Sequence, residues 1–389
     1  MDCQRDLFAL PRDLHYLNCA FMAPVSDQVA NAAREAVDQL RIPARLTPED
    51  FFASSERVRH LFARLVNIDS PQRVAIIPSV SYAMATLARN TPLMPGQNVV
   101  VVHEQFPSAI YTWQRACDAT GATLRVVAEP EPTERHGQRW NDAVVEAVDP
   151  DTATVVLPVL HWAHGTRFDL GRIRRRAHEC GATLIVDGTQ SVGALPFDVD
   201  ETRPDALVCA GYKWLTGPYS VGLAYFGPAY DDGIPIEENW IARKGSEDFA
   251  GLVDYSPTYQ PGALRYDVGE RSNFVLLPML EAGLTQVLRW RPDAIQNYCA
   301  TLIADVIPEL INLGCWIEPA ADRASHLFGV RPPAPIDVDT VKAVLAAQQV
   351  SVSVRGQAVR VAPHVYNDRD DMTALVNALR VIVTGGPTA

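Results

Sequence analysis

The sequence predicts an α/β fold: a mostly parallel sheet buried between helices, followed by a smaller α+β unit. Three observations carry this. Seven apolar, β-branched runs recur within the first 226 residues. Stretches of helical period lie between them. From about residue 275 the alternation gives way to long helical patterns and then short strands.

In order, the runs are 73–77, 98–103, 123–127, 154–160, 183–187, 206–209 and 221–226. Near-continuous apolar character marks strands covered on both faces. Helical patterns at 81–90, 108–120, 141–148 and 170–180 supply the crossovers that parallel strands need. Gly121, Gly181 and Pro150 stand where helices should stop. Beyond 275 the sequence predicts helices at 276–291 and 294–312, a strand at 324–331 and a helix at 338–348. Strands at 351–354 and 358–362 and a helix at 369–383 follow. The expected organisation is a large domain over 17–270 and a small one from 1–16 and 271–389.

A length of 389 residues suggests two or three domains. Such a chain buries a large core without disulfides or a structural metal. Its 48% hydrophobic and 21% charged residues are ordinary for a soluble protein. The net charge of −12 comes without a basic tail. The densest basic stretch, Arg172, Arg174, Arg175 and Arg176, has the spacing of a solvated helix face. Nucleic acid is therefore not an expected partner. No apolar run approaches the length of a membrane span. The opening MDCQRDLFALPRDL is broken by charges, unlike a signal peptide. Seven cysteines without CxxC pairing point to a reducing compartment, here the cytoplasm.

Nucleotide fingerprints are absent: neither GxGxxG after the first strand nor GxxxxGK[ST] occurs. There is no GxSxG elbow. His161 and His164 form an HxxH without acidic or cysteine ligands at zinc spacing, so no metal is expected. Only three lysines occur, Lys213, Lys244 and Lys342, which makes each worth attention.

The informative segment runs from 183 to 226. One apolar strand ends in Asp187, and the next leads into Gly211-Tyr212-Lys213-Trp214. Ligands of α/β sheets bind outside the carboxyl ends of strands, where these two side chains converge. A lysine amine that forms a Schiff base and a carboxylate that keeps a pyridinium protonated are what pyridoxal phosphate chemistry needs. The bland alternative, a strand-end Asp and a surface Lys, would win for this pair alone.

The wider pattern resembles the class V aminotransferases of pyridoxal phosphate fold type I. That group includes cysteine desulfurases, kynureninases and isopenicillin-N-epimerase-like proteins. The residues that carry the resemblance are Asp187, Gln190, Asp205, Lys213 and the turn Gly217-Pro218-Tyr219-Ser220-Val221-Gly222. It extends from Tyr16-Leu17-Asn18-Cys19-Ala20 to the stretch ending at Asn367. The resemblance implies a mostly parallel seven-stranded sheet and pyridoxal phosphate as cofactor. It implies that Lys213 and Asp187 are catalytic, and that Ser79, Val80 and Ser81 cradle the phosphate at a helix N-terminus. Phe106 would stack on the ring, Gln190 would hydrogen-bond its phenolic oxygen, and Tyr212 would reach the phosphate. Arg360, in VRVAP, would hold the substrate α-carboxylate, with Arg355 as the alternative. Ser272 and Asn273 would reach the phosphate of a neighbouring subunit, implying a homodimer with shared sites. Ala210 and Trp162 depart from the family pattern, which usually has Ser and Asn there.

The expected reaction is at Cα or Cβ of an amino acid, by aminotransfer or by C–S or β-elimination. A kynureninase-like hydrolase or an epimerase is the alternative, with His161 and His164 as substrate-side candidates. The stretch 324–329 lacks the cysteine that a persulfide-forming desulfurase needs. A non-catalytic cofactor-binding regulator usually carries a fused basic helix-turn-helix, and only about 17 residues precede the family-like region.

Overall fold

The structure is a computed structural model that describes residues 1–335 and 337–384. Its main sheet contains β1 (Val74–Ile77), β2 (Asn98–Val102), β3 (Thr123–Val127), β4 (Thr152–Pro158), β5 (Thr183–Asp187), β6 (Ala206–Ala210) and β7 (Gly222–Phe226). Their spatial order is β1-β7-β6-β5-β4-β2-β3. Only β7 runs antiparallel to its neighbours. This is the fold that the apolar runs and helical crossovers predict.

The strands read as near-continuous apolar runs because both faces are covered. Along β5, Leu184 and Val186 enter one core with Phe62, Trp140 and Leu284, whereas Ile185 enters the other with Met84, Trp113 and Phe226. Successive side chains point to opposite faces. The helices Asp27–Leu40 and Asp50–Leu65, which the sequence reading does not single out, precede the sheet. The second inserts Val58 and Phe62 into the first core. The helix Leu276–Trp290 lies in the segment assigned to the small domain. It nonetheless contributes Leu277, Leu280 and Leu284 to the core of the large sheet, so it joins the two units.

A second sheet contains β8 (Trp316–Ile317), β9 (Phe328–Arg331), β10 (Ser353–Arg355) and β11 (Ala358–Val361), antiparallel in the order β10-β11-β9-β8. Residues His15–Tyr16 pair in parallel with Val350–Ser351, and Asn18 bridges to Ala362. Two predicted elements differ. The stretch 294–312 is two helices, Pro292–Ile303 and Val306–Asn312. Pro308 lacks the N–H that a continuous helix would bond to the carbonyl of Ala304. The strand expected at 324–331 begins only at Phe328. Among the described residues, no helix is long and apolar enough to cross a membrane.

Candidate active site

The carboxyl ends of the strands surround a cavity of about 280 Å³. The connections after β1, β2, β4 and β6 supply Ser79, Phe106, Trp162 and Lys213 to its lining, and the last residue of β5 supplies Asp187. Left-handed backbone occurs in its lining at Ser220, with φ of 66°, and at Glu104, next to the lining residue Gln105, with φ of 50°. Such strain persists where the surroundings over-determine it, commonly at functional sites.

Lys213 is 5% exposed and Asp187 is 8% exposed. The Lys213 Nζ lies 5.4 Å from the Phe106 ring centre and 5.5 Å from that of Tyr212. Burial, and then the charge of Arg360, push its pKa down to about 8, although Asp187 opposes this. The Asp187 carboxylate is pushed up by burial, and it accepts the Thr189 N–H at 2.9 Å. Among the described residues no cationic side chain lies within the 4.0 Å of an ion pair to it. A buried carboxylate without a counter-charge is costly unless a ligand completes it.

The phosphate-binding expectation falls on a real helix start. Ser79 caps the helix Val80–Arg89, accepting the Tyr82 N–H at 3.2 Å, and its Oγ lies 2.9 Å from that of Ser81. All three residues of Ser79-Val80-Ser81 line the cavity. Phe106 also lines it and meets Trp162 edge-on at 5.4 Å. Tyr212 packs against Tyr219 with ring centres 4.6 Å apart.

Gln190 lines the cavity, and its orientation is set by its neighbours. Its Oε1 accepts the Trp214 Nε1–H at 2.9 Å, and its Nε2 donates to the Ala20 carbonyl at 3.1 Å. One amide proton is left for a ligand. Gly193, with φ of 105°, lets the Lys213–Trp214 turn sit directly on this loop: a Cβ there would fall 2.2 Å from the Trp214 carbonyl oxygen.

Other predicted residues lie elsewhere. His161 and His164 do not line the cavity. They stack on each other at 4.7 Å behind it, where His161 donates to the His103 carbonyl and His164 sits between Arg331 and Glu129. Burial pushes both imidazoles well below their ordinary pKa. The chain turns after Leu160, so Trp162 takes the cavity face and the histidines take the core face. Ser272 donates to the Phe51 carbonyl, and Asn273 accepts the Val275 and Leu276 N–H groups at a helix start. Neither lines this chain's own cavity. Asp205 bonds Arg174 and the Leu184 N–H, away from the cavity.

Arg360 is 2% exposed, and its Nη1 donates to the Trp162 carbonyl at 3.2 Å. Neither Arg360 nor Arg355 lines the cavity, but each guanidinium lies within 6 Å of the centre of the Trp162 ring, at 5.4 Å for Arg355 and 5.8 Å for Arg360. The sequence reading misses Gln105 and Thr189, which also line the cavity. The Gln105 Nε2 is buried there without an acceptor. Their signal was position alone, since both follow strand ends beside residues already singled out.

These groups fit pyridoxal phosphate. A helix N-terminus with two hydroxyls suits a phosphate, an unpaired carboxylate suits a protonated ring nitrogen, and a desolvated amine suits an aldehyde. The unfilled donor of Gln105 and the free proton of Gln190 are available to ring substituents.

Comparison with known proteins agrees. An uncharacterized aminotransferase, YcbU, from Bacillus subtilis is 24% identical over 376 residues, 96% of each chain. A kynureninase from Pseudomonas fluorescens is 27% identical over 301 residues, covering 72% of this chain and 67% of that one. The crystal structure of the cysteine desulfurase CsdA from Escherichia coli superposes with a TM-score of 0.82 at 19% identity, covering 98% and 97% of the two chains. Residues 47–375, which include the whole cavity, match the family Aminotransferase class-V. With the lysine, carboxylate and helix start in one cavity, the chain belongs to the class V aminotransferases and is a pyridoxal phosphate-dependent enzyme.

Proposed function

We propose that this enzyme acts on an α-amino acid with Lys213 as its one proton-transfer group, leading to amino-group transfer or to loss of a β-substituent such as a thiol. When bound, pyridoxal phosphate supplies an aldehyde for an amine and a ring that draws electrons from the adjacent carbon. The observation that carries the reading is the Lys213 amine, buried in the cavity with its pKa near 8. Such an amine is neutral in about a tenth of molecules at pH 7, enough to serve as nucleophile and base.

Around it, Asp187 holds a proton on the ring nitrogen, and Ser79, Val80 and Ser81 bind the phosphate. Phe106 covers the ring, Gln190 donates to its oxygen, and Tyr212 reaches toward the phosphate. Arg360 holds the α-carboxylate. No cysteine lines the cavity, which disfavours persulfide chemistry. His161 and His164 stack on each other in the core, with burial holding both well below their ordinary pKa, which disfavours a second base for epimerisation. Hydrolytic cleavage of the kynureninase kind is the second reading, favoured by Phe106 and Tyr212. The reading extends to a cytoplasmic homodimer without nucleic-acid or membrane partners. Its support is the set of free cysteines and the exposed apolar residues Val253 and Tyr255, 78% and 94% exposed.

The test is the visible spectrum of purified protein with added pyridoxal phosphate, followed by L-amino acids that include cysteine conjugates and kynurenine. The bound-cofactor band should vanish in Lys213→Ala. Ammonia with pyruvate would mean elimination. Loss of the band that a keto acid restores would mean transamination, and alanine release would mean hydrolysis. A spectrum identical in wild type and Lys213→Ala would refute the proposal.

A further inference from the structure

We propose that the substrate carries a second acidic group, and that Arg355 binds it beside the α-carboxylate held by Arg360. This rests on the assignment of Arg360 made above. The small-domain sheet dictates the arrangement. In the antiparallel pair β10–β11, Ser353 lies opposite Arg360 and Arg355 opposite Ala358. Opposed residues share a face, and so do residues two apart. Ser353, Arg355 and Arg360 therefore project from one face, toward Trp162. Both guanidiniums meet that ring, which lines the cavity; neither arginine is itself in that lining, and Arg355 lines a separate cavity with Asn18, Phe21 and Ser353.

The charges on this face are uncompensated. Among the described residues four arginines are buried, and three have a carboxylate: Arg5 with Asp371 at 3.1 Å, Arg59 with Asp267 at 2.6 Å, and Arg271 with Asp267 at 3.2 Å. Arg360 is the exception. It donates instead to the Trp162 carbonyl and the Ser353 hydroxyl, at 3.2 and 3.4 Å. Arg355 donates to the Val354 carbonyl at 2.9 Å. The Nε of each is buried without an acceptor. Among the described residues neither has a carboxylate within 4.0 Å.

One α-carboxylate neutralises one guanidinium and leaves the other bare. The phosphate site is at the Ser79 helix start, and Asp187 is matched to the ring nitrogen. A second substrate anion is the group left to meet Arg355. Two planar forks on one face suit two carboxylates of a single short molecule. The substrate class is thus an amino acid with an acidic side chain.

The test uses holoenzyme and inert acids whose binding is followed by calorimetry. Succinate and glutarate should bind about tenfold or more tightly than butyrate and valerate, the equivalent of one charge-assisted pair. Arg355→Met should reduce that advantage to about twofold or less, and Arg355→Lys should restore part of it. The ratio of kcat/KM for L-glutamate over L-glutamine should fall in the same order. Equal binding of mono- and diacids by wild type would overturn the proposal. So would a parallel loss of both classes in Arg355→Met, which would mean that both arginines grip one carboxylate. The assignment beneath it fails separately: Arg360→Met with undiminished butyrate binding would remove Arg360 as the α-carboxylate ligand. Binding of none of these acids would reject both.

Discussion

Replacing Lys213 by methionine should make the cofactor-free protein more stable at neutral pH. Lys213 is held at about 8 against an ordinary 10.5, chiefly by burial and next by Arg360. At about 1.4 kcal/mol for each pH unit, the protonated amine costs the folded state about 3 kcal/mol. Solvent screens little of this, because the side chain is 5% exposed. The sign follows from linkage. Between pH 8 and about 10.4 the unfolded lysine keeps a proton that the folded one has released, so wild-type stability rises with pH across that window. Lys213→Met removes the charge and keeps the length. Its expected advantage is about 3 kcal/mol at pH 7, narrowing steadily toward pH 10. Urea unfolding of both apo proteins at pH 7 and pH 10 measures it. A variant less stable than wild type at pH 7, or a gap independent of pH, would refute the reasoning.

Four further outcomes are expected. Asp267 accepts from Arg59, Arg271 and the Ile76 N–H, so Asp267→Asn should destabilise by about 5 kcal/mol in urea unfolding. Arg59→Met leaves Asp267 its Arg271 partner and should cost about 3 kcal/mol. Burial alone pushes His136 down, but Glu129 and Glu318 on its two ring nitrogens outweigh it and raise its pKa. His136→Gln should therefore cost about 2 kcal/mol below pH 6.5, a loss that fades as pH rises through the raised value. A stability–pH series on both proteins checks this. Trp214→Phe removes the donor to Gln190 and should cost about 1–2 kcal/mol. It should also shift the pH midpoint of the bound cofactor's absorbance, which loss of packing alone would not do.

Much of the site was legible because strand ends announce themselves. Asp187 closes an apolar run, and Ser79 follows one and opens a helix. Lys213 stands out in a chain that otherwise uses arginine. Each of these depends on local pattern, which survives in one dimension. Other features depend on which way a turn faces. His161 and Trp162 are adjacent, yet one enters the core and the other the cavity. Ser272 and Asn273 hydrogen-bond Phe51 and a helix start, contacts that local pattern does not announce. The same limit hides the lack of a counter-ion at Arg360, since it depends on which carboxylates arrive from distant segments. The helix Leu276–Trp290 was legible as a helix, but its apolar stripe does not say which of two cores it fills.

The pairing of Tyr16 with Ser351 and of Asn18 with Ala362 has a consequence for synthesis. Asn18 also accepts from Ser353, 335 residues away in the chain. Ala20, two residues on, supplies the carbonyl that fixes Gln190. On the ribosome, the earliest residues of this stretch must wait unpaired until almost the last strand emerges. Closing so long a loop is slow compared with local helix formation. The large sheet can thus form before this pairing closes, and the segment that holds Gln190 is fixed in place only once the later strands have joined it.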